Sequence, residues 1–363
     1  MNAFDQEPED LVAAEVAAVE RVIRSGWWVL GREVQEFEQE WATRVGATRA
    51  VGVANGLEAL EIALAALGIG AGDEVVTTSM TAFATVLAVL RAGATPVLAD
   101  IDPSTAMLDP SSVERCMSPR TKAILLVHLY GQAGPVIELG ALAERAGVEL
   151  IEDCAQAHGA MVGERQVGTF GAAAAWSFYP TKNLGAVGDA GAITTGRPEL
   201  ADRMAVLRNY GQTVRYVHGE LGLNSRLDEL QAAILRVRLG RLDDWTSARR
   251  AVAHRYSESI DNPEVELLPL PDDPRRHVHH LFVVRCGRRD ELREHLVSLG
   301  VECLSHYPIP VHLQSPTRDL RRDPEGLACT ESHAERCLSL PCHPLLTSAQ
   351  VESVAEAVNA FGR

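Results

Sequence analysis

Three short segments carry residues whose types suit covalent and acid–base chemistry. VELIEDCAQAHGA (148–160) places Asp153 where a buried parallel strand would end, the edge at which α/β sheets bind ligands. SFYPTKNLGAVGDAGA (177–192) puts Lys182 in a turn after another apolar run and ahead of a glycine-rich one. AVGVANGLEAL (50–60) reads as strand, Asn-Gly turn and helix, which aims free backbone N–H groups past the strand end; that geometry suits an anion. Alone, each residue has a plainer reading: Asp153 as a turn or cap residue, Lys182 as a solvated loop lysine, Asn55 as an N-cap. Together they offer an amine for a Schiff base, a carboxylate to keep a pyridine nitrogen protonated, and a phosphate cradle. Those are the parts that pyridoxal phosphate chemistry requires.

Other signals are weaker. Gly68, Gly70 and Gly72 form G-x-G-x-G, but the run follows a helical pattern and precedes a strand, the reverse of a dinucleotide loop. His277, His279 and His280 open an apparent alternating strand, where adjacent residues face opposite ways, so they read as solvated or interface histidines. Cys337, Cys342 and His343 fit no zinc spacing. No metal is expected.

The positioning elements are legible as alternation. Strand candidates begin at Ala50, Glu74, Thr95, Ala123, Val148 and Ala174, with helical spacing between most of them, as at Leu57, Leu60, Leu64 and Leu67 before Gly68. Such alternation predicts a mostly parallel sheet covered on both faces. From Leu227 a long helix is expected, with Leu230, Ile234 and Val237 on its apolar face. The Pro- and Asp-rich stretch 267–276 reads as loop, followed by one strand, a helix and a closing helix after Thr347. The expected division is a large α/β domain over 1–240 and a smaller α+β domain over 241–363.

The chain has 363 residues, 46% of them hydrophobic and 23% charged, which excludes a disordered or collagen-like protein. Lys plus Arg number 34 against 49 Asp plus Glu, a net charge of -15. That field excludes nucleic acid and anionic membrane as general partners, so an anionic ligand needs a local cluster of donors. Seven cysteines without a C-x-x-C pair argue against disulfides and zinc. MNAFDQEPED lacks the apolar core of a signal peptide, and Val75 to Leu90 is too polar and short to span a membrane. A cytoplasmic location is expected.

EDCAQAHGA, SFYPTKNLGAVGDAGA, NSRLDELQAAIL and HYPIPVHLQ, in this order and spacing, make the chain similar to the DegT/DnrJ/EryC/StrS sugar aminotransferases of the fold-type I pyridoxal phosphate enzymes. The likeness runs from about Gly26 to the closing helix. It implies an aspartate-aminotransferase-like fold with a seven-stranded, mostly parallel sheet flanked by helices, and a homodimer with shared active sites. Carried over residue by residue, it makes Lys182 the cofactor's lysine and Asp153 the partner of its ring nitrogen. Ala155 then packs on one ring face and Gln156 contacts the phenolic oxygen. Ser177, with the backbone N–H groups of Gly56 and Leu57, holds the phosphate, and Asn224 reaches it from the other subunit. Ser225-x-x-Asp228 is also a capping-box pattern. Arg215, His218, His306, Tyr307 and His312 match sugar-nucleotide contacts.

Two positions depart from the pattern. Many members have Thr where Leu57 stands and an aromatic residue where Ala82 stands; if that segment is a strand, Phe83 faces away. The implied reaction moves an amino group from L-glutamate to a keto sugar linked to a nucleoside diphosphate. RY-x-H, NSRLD, NGLEAL and HYPIPVHLQ resemble the branch that aminates position 3, which implies a dTDP-3-keto-6-deoxyhexose. The alternatives are the 4-position branch, an aminocyclitol aminotransferase, a dehydratase, or a non-catalytic regulator of the same fold. Lys182 speaks against the dehydratases, which carry His there, and Lys182 with Asp153 against the regulator.

Overall fold

A computed structural model describes residues 4–362. Helices α1 (Glu9–Ser25) and α2 (Arg32–Val45) lead into the main sheet. The sheet opens with β1 (Arg49–Val53), α3 (Gly56–Ala66), β2 (Glu74–Thr78), α4 (Phe83–Arg91) and β3 (Thr95–Ala99). It continues through α5 (Pro110–Cys116), β4 (Thr121–Val127), α6 (Val136–Ala146) and β5 (Glu149–Asp153). A two-stranded ribbon, β6 (Met161–Val162) and β7 (Arg165–Gln166), precedes β8 (Ala173–Ser177) and β9 (Gly191–Thr195). The seven strands lie in the order β1-β9-β8-β5-β4-β2-β3. Only β9 runs against the rest, pairing antiparallel with both β1 and β8. The expected α/β class and sheet are therefore present.

Strand β4 shows why the sheet is buried on both sides. Ala123, Leu125 and Val127 join one core, while Ile124 and Leu126 join another beneath α5 and α6. A strand covered on both faces reads as a continuous apolar run. The run GAITT was not among the expected strands; it is β9, five residues that emerge directly from a glycine-rich loop.

The later elements depart more from expectation. After α7 (Pro198–Leu207), a hairpin of β10 (Gln212–Val214) and β11 (Val217–His218) projects into solvent. The long helix expected from Leu227 starts at Glu229 as α8 (Glu229–Leu239), and α9 (Leu242–Ser259) follows. The capping box does not form. Asp228 makes no side-chain cap, and the Ser225 hydroxyl instead accepts the Ala54 N–H at the end of β1. Glu229 turns the other way and accepts three N–H groups, from Gly31, Glu33 and Val34, at the start of α2. Buried amides at a helix start are a stronger demand than a cap for α8.

A further core gathers residues between Val252 and Phe361. It packs around β12 (Val265–Leu267), β13 (Phe282–Cys286) and β14 (Cys337–Leu340), with α10 (Arg289–Ser298) and α12 (Ser348–Ala360) against it and α11 (Ala328–Arg336) alongside β13. The closing helix begins at a capping box of Thr347 and Gln350. His277, His279 and His280 do not open the strand and are not solvated: all three are buried, and β13 begins at Phe282. His279 has φ 45, which breaks the extended run. Arg250 takes the His277 carbonyl, and Arg249 reaches those of His279 and His280. Burial holds the three imidazoles below their usual range.

Among the described residues no helix is long and apolar enough to cross a membrane.

Candidate functional site

The chain ends of β1, β5 and β8 and the start of β9 meet at one edge of the sheet. Asp153 is the last residue of β5 and is buried. Its Oδ1 accepts the Ala155 N–H at 3.1 Å, and its Oδ2 accepts the Thr85 hydroxyl at 2.9 Å. Thr81 Oγ1 lies 2.8 Å from Thr85 Oγ1. Because Thr85 spends its proton on the carboxylate, Thr81 must be the donor of that pair. Burial pushes the Asp153 carboxyl up, against the pull of Ala155, Thr85 and Lys182. Thr81 and Thr85 were not identified from sequence; their i, i+4 spacing across the start of α4 was the available signal.

Ala82 is the residue before α4, half-buried, and Phe83 is the first residue of that helix rather than part of a strand. The alternation argument for Phe83 therefore does not apply: it packs with Val86, Leu98, Val311 and Leu327.

Lys182 lies in a turn closed by its own N–H to the Tyr179 carbonyl at 2.8 Å. The following residues are fixed: Asn183 Nδ2 donates to the Val278 carbonyl at 2.9 Å, and the Leu184 N–H to His158 Nδ1 at 3.2 Å. The amine itself makes no hydrogen bond or ion pair with the described residues. Burial pushes it down to about 8, with Asp153 acting in the opposite sense. Burial alone, and no cationic neighbour, lowers it.

Gly56 opens α3, and Asn55 is its N-cap, accepting the Glu58 N–H at 2.9 Å. This leaves the Gly56 and Leu57 N–H groups outside the intrahelical ladder, as at any helix start. A Cβ on Gly56 would stand 2.7 Å from the Ser177 Cβ, and one on Gly191 would stand 2.5 Å from the Asn55 carbonyl carbon. The helix start is thus pressed against the ends of β8 and β9, with Ser177 half-buried beside it. Two open amides and a hydroxyl form a cradle for a phosphate without any positive side chain.

Gln156 is buried. Its Oε1 accepts the Tyr130 N–H at 2.6 Å, which fixes the amide orientation, and its Nε2 donates to the Tyr307 hydroxyl at 3.2 Å. An amide nitrogen has two donors, so one N–H remains for an oxygen anion. Tyr307 is half-buried, and burial and Asp153 push its hydroxyl up to about 12. His306 is half-buried, with Nδ1 2.9 Å from Ser339 Oγ, and burial together with Lys182 lowers its imidazole to about 4.

The other expected contacts are either committed to other bonds or exposed. His312 is fully buried, with Nδ1 2.7 Å from Ser79 Oγ and Nε2 3.0 Å from Glu331. Both ring nitrogens are engaged, so it ties the 311–313 turn to β2 and α11 and has none left for a substrate. Arg215 and His218 sit on the exposed hairpin, where Arg215 donates to the Tyr216 hydroxyl at 3.1 Å and His218 Nδ1 lies 2.9 Å from the Tyr210 carbonyl. Asn224 is exposed, its backbone bridged to Asn209. A cavity of about 840 Å³ between α1, α2 and α8 lies away from Lys182. Among its charged walls, Arg236 is paired with Glu33 and Glu40, and Arg32 with Glu36. The chemistry and not the volume marks the site.

His128, Glu152 and Cys154 form a buried cluster of metal-ligand types beside Asp153. Glu152 accepts four donors: His128 Nε2 and the Gly168, Phe170 and Gly171 N–H groups. With about four lone-pair sites per carboxylate, it has none left for a cation, and the cluster is a structural tie.

The model of the DegT/DnrJ/EryC1/StrS aminotransferase family matches residues 9–359. A dTDP-3-amino-3,4,6-trideoxy-alpha-D-glucose transaminase of Streptomyces venezuelae is 48% identical over 354 residues, 97% of this chain and 93% of that one. A dTDP-3-amino-3,6-dideoxy-alpha-D-galactopyranose transaminase of Aneurinibacillus thermoaerophilus is 46% identical, over 95% of this chain and 94% of the other. The crystal structure of DesV from S. venezuelae, in complex with a ketimine intermediate, superposes with a TM-score of 0.93 at 47% identity, covering 97% of this chain and 95% of that one. With the sheet, the lysine turn and the buried aspartate in place, the chain belongs to the DegT/DnrJ/EryC1/StrS aminotransferase family.

Proposed function

We propose that this protein is a pyridoxal-phosphate-dependent transaminase that moves an amino group from L-glutamate to position 3 of a dTDP-linked 3-keto-6-deoxyhexose. The observation that carries the reading is an unencumbered Lys182 amine, pushed down to about 8, at the same sheet edge as the buried Asp153. The transaminase class follows from family membership, and the 3-amino products named for its relatives support the position.

When bound, the cofactor supplies an aldehyde for amine exchange and a ring that spreads the charge developed at the donor's α-carbon. Lys182 would hold the aldehyde carbon and, once displaced, take the proton from that α-carbon through Nζ. Burial favours its neutral form, which is the form able to accept a proton. Asp153 would face the ring nitrogen and keep it protonated, with Thr81 and Thr85 ordering the carboxylate. The free N–H of Gln156 suits the ring's oxygen anion. Ser177 and the Gly56 and Leu57 amides would receive the phosphate. Ala155 and Ala82 are small enough to let a flat ring approach.

We further read the chain as a homodimer, cytoplasmic, with two domains dividing near residue 240. Asn224, Arg215 and His218, exposed on or beside the hairpin, would serve the partner's site, and His306 and Tyr307 would line the sugar side. The test begins with absorbance. The purified protein supplied with pyridoxal phosphate should show a visible band that glutamate bleaches, and no such band would sink the reading. Run in reverse with 2-oxoglutarate, it should consume 3-amino nucleotide sugars; consumption of 4-amino sugars alone, or of aminocyclitols alone, overturns the sugar assignment. Lys182→Ala should fold and retain cofactor but lose turnover by at least about a thousandfold.

A further inference from the structure

Tyr130 follows β4 in the turn 129–131 and is buried, with φ 60 and ψ 0, a left-handed backbone that a bulky side chain rarely adopts. Every polar group it has is spent, each on a different segment. Its N–H donates to Gln156 Oε1 at 2.6 Å, and its carbonyl accepts the Leu281 N–H at 3.2 Å. Its hydroxyl lies 2.5 Å from the His306 carbonyl and 2.9 Å from His333 Nε2 on α11. A carbonyl only accepts, so the tyrosine proton goes to His306 and His333 must donate through Nε2. The remaining ring nitrogen, His333 Nδ1, is buried without a partner; this arrangement is kept at the expense of an unsatisfied acceptor. The turn approaches Gln156 closely: a Cβ on the next residue, Gly131, would stand 2.8 Å from the Gln156 carbonyl.

These bonds close a ring. Tyr130 binds Gln156 through its backbone, Gln156 binds Tyr307 through Nε2, and the peptide joining Tyr307 to His306 returns to the Tyr130 hydroxyl. One side of the ring is the amide proposed to face the cofactor oxygen, and the other is the segment proposed to line the sugar. We infer that Tyr130 is a positioning residue for the sugar half of the reaction, setting the His306–Tyr307 segment in register with Gln156. The inference rests on the proposed placement of those two residues at the sugar side. Its hydroxyl is the separable part, because Gln156 is held by the Tyr130 backbone and not by the side chain.

Tyr130→Phe removes that hydroxyl and keeps the ring and the turn. In the variant, amide hydrogen exchange over 304–309 should quicken about tenfold, the equivalent of one lost hydrogen bond, with exchange over 149–156 unchanged. With cofactor bound, the sugar KM should rise about tenfold, while bleaching of the visible band by glutamate alone keeps its rate within about twofold. His333→Leu should give a smaller rise in the same KM, since the bond to His306 survives. Unchanged exchange over 304–309 overturns the inference whatever the acceptor proves to be. So does faster exchange with no KM change, or with equal losses in both half-reactions. If the parent protein consumes no nucleotide sugar, the functional reading fails separately, and the exchange measurement still decides whether the Tyr130 hydroxyl holds the 304–309 segment.

Discussion

Thr85 shows how much of the site's chemistry depends on residues that look like ordinary core. It is buried on α4, and its hydroxyl completes a chain from Thr81 to Asp153 Oδ2. A hydrogen bond to a charged group contributes about 1.5–3 kcal/mol. Thr85→Val keeps the shape and removes the donor. It should lower kcat/KM by roughly ten- to a hundredfold with the fold intact by circular dichroism. The sign on pH follows from the same bond. Thr85 favours the ionised carboxylate, so its loss raises the Asp153 pKa, and the acid limb of the pH–rate profile should move to higher pH. A folded variant with an unmoved acid limb would remove Thr85 from the mechanism. The histidines teach the converse. His312 was expected to meet substrate and His277 to be solvated or at an interface, yet His312 is committed at both ring nitrogens and His277 is buried, stacked on His279 at 3.8 Å. Residue type alone does not separate a ligand from a tie.

Elements were readable where local pattern and tertiary role agree. Six strands of the main sheet lie within a residue or two of where apolar runs place them, because a strand buried on both faces must be continuously apolar. The seventh, β9, is as long as most of the others but emerges directly from a glycine-rich loop, so its partner strands and not its own sequence define it. The same limit hid the roles of Ser225 and Glu229, whose bonds go to Ala54 and to the start of α2. The motifs carrying Asp153 and Lys182 were plain because each sits at a strand end or a turn, whereas Thr85 and Tyr130 are joined to the site only through contacts distant in sequence, and Glu152, though next to Asp153, bonds to His128 and the 168–171 loop. Glu152 is the clearest case for a test. Burial would raise its carboxyl, but His128 and the Gly168 and Gly171 amides outweigh that and hold it below the usual range. A depressed carboxyl contributes stability that is present above its unfolded pKa and lost as pH falls through the folded one. Glu152→Gln puts an NH2 against backbone donors and should cost about 2–4 kcal/mol in urea unfolding at neutral pH. The difference from the parent should shrink as the medium is made acidic. Equal midpoints at neutral pH would show that the 168–171 loop does not depend on this tie.

At the scale of the whole molecule, the proposed homodimer calls for exposed apolar surface, and the chain has some. Tyr216 is 78% and Leu221 98% exposed along the hairpin region, and Trp27 and Trp28 are 62% and 59% exposed before α2. Exposed apolar groups of this size suit the association surface that the proposed homodimer requires. Asn224, Arg215 and His218 lie exposed on or beside that hairpin. If they serve the partner's site, each active centre is built from two chains, and defects in the two halves should complement. In a Lys182→Ala and Asn224→Ala heterodimer, one site combines the intact lysine with the intact asparagine and the other has lost both. Random reassociation of equal amounts makes half the dimers mixed, each with one working site, so about a quarter of parental activity should return. Each variant alone should stay far below that level. Light scattering fixes the fraction of dimers, and distinct affinity tags verify the mixed ones. Verified heterodimers with no recovery would mean that Asn224 acts within its own chain or not at all, and the hairpin would then be an interface without a share in the chemistry.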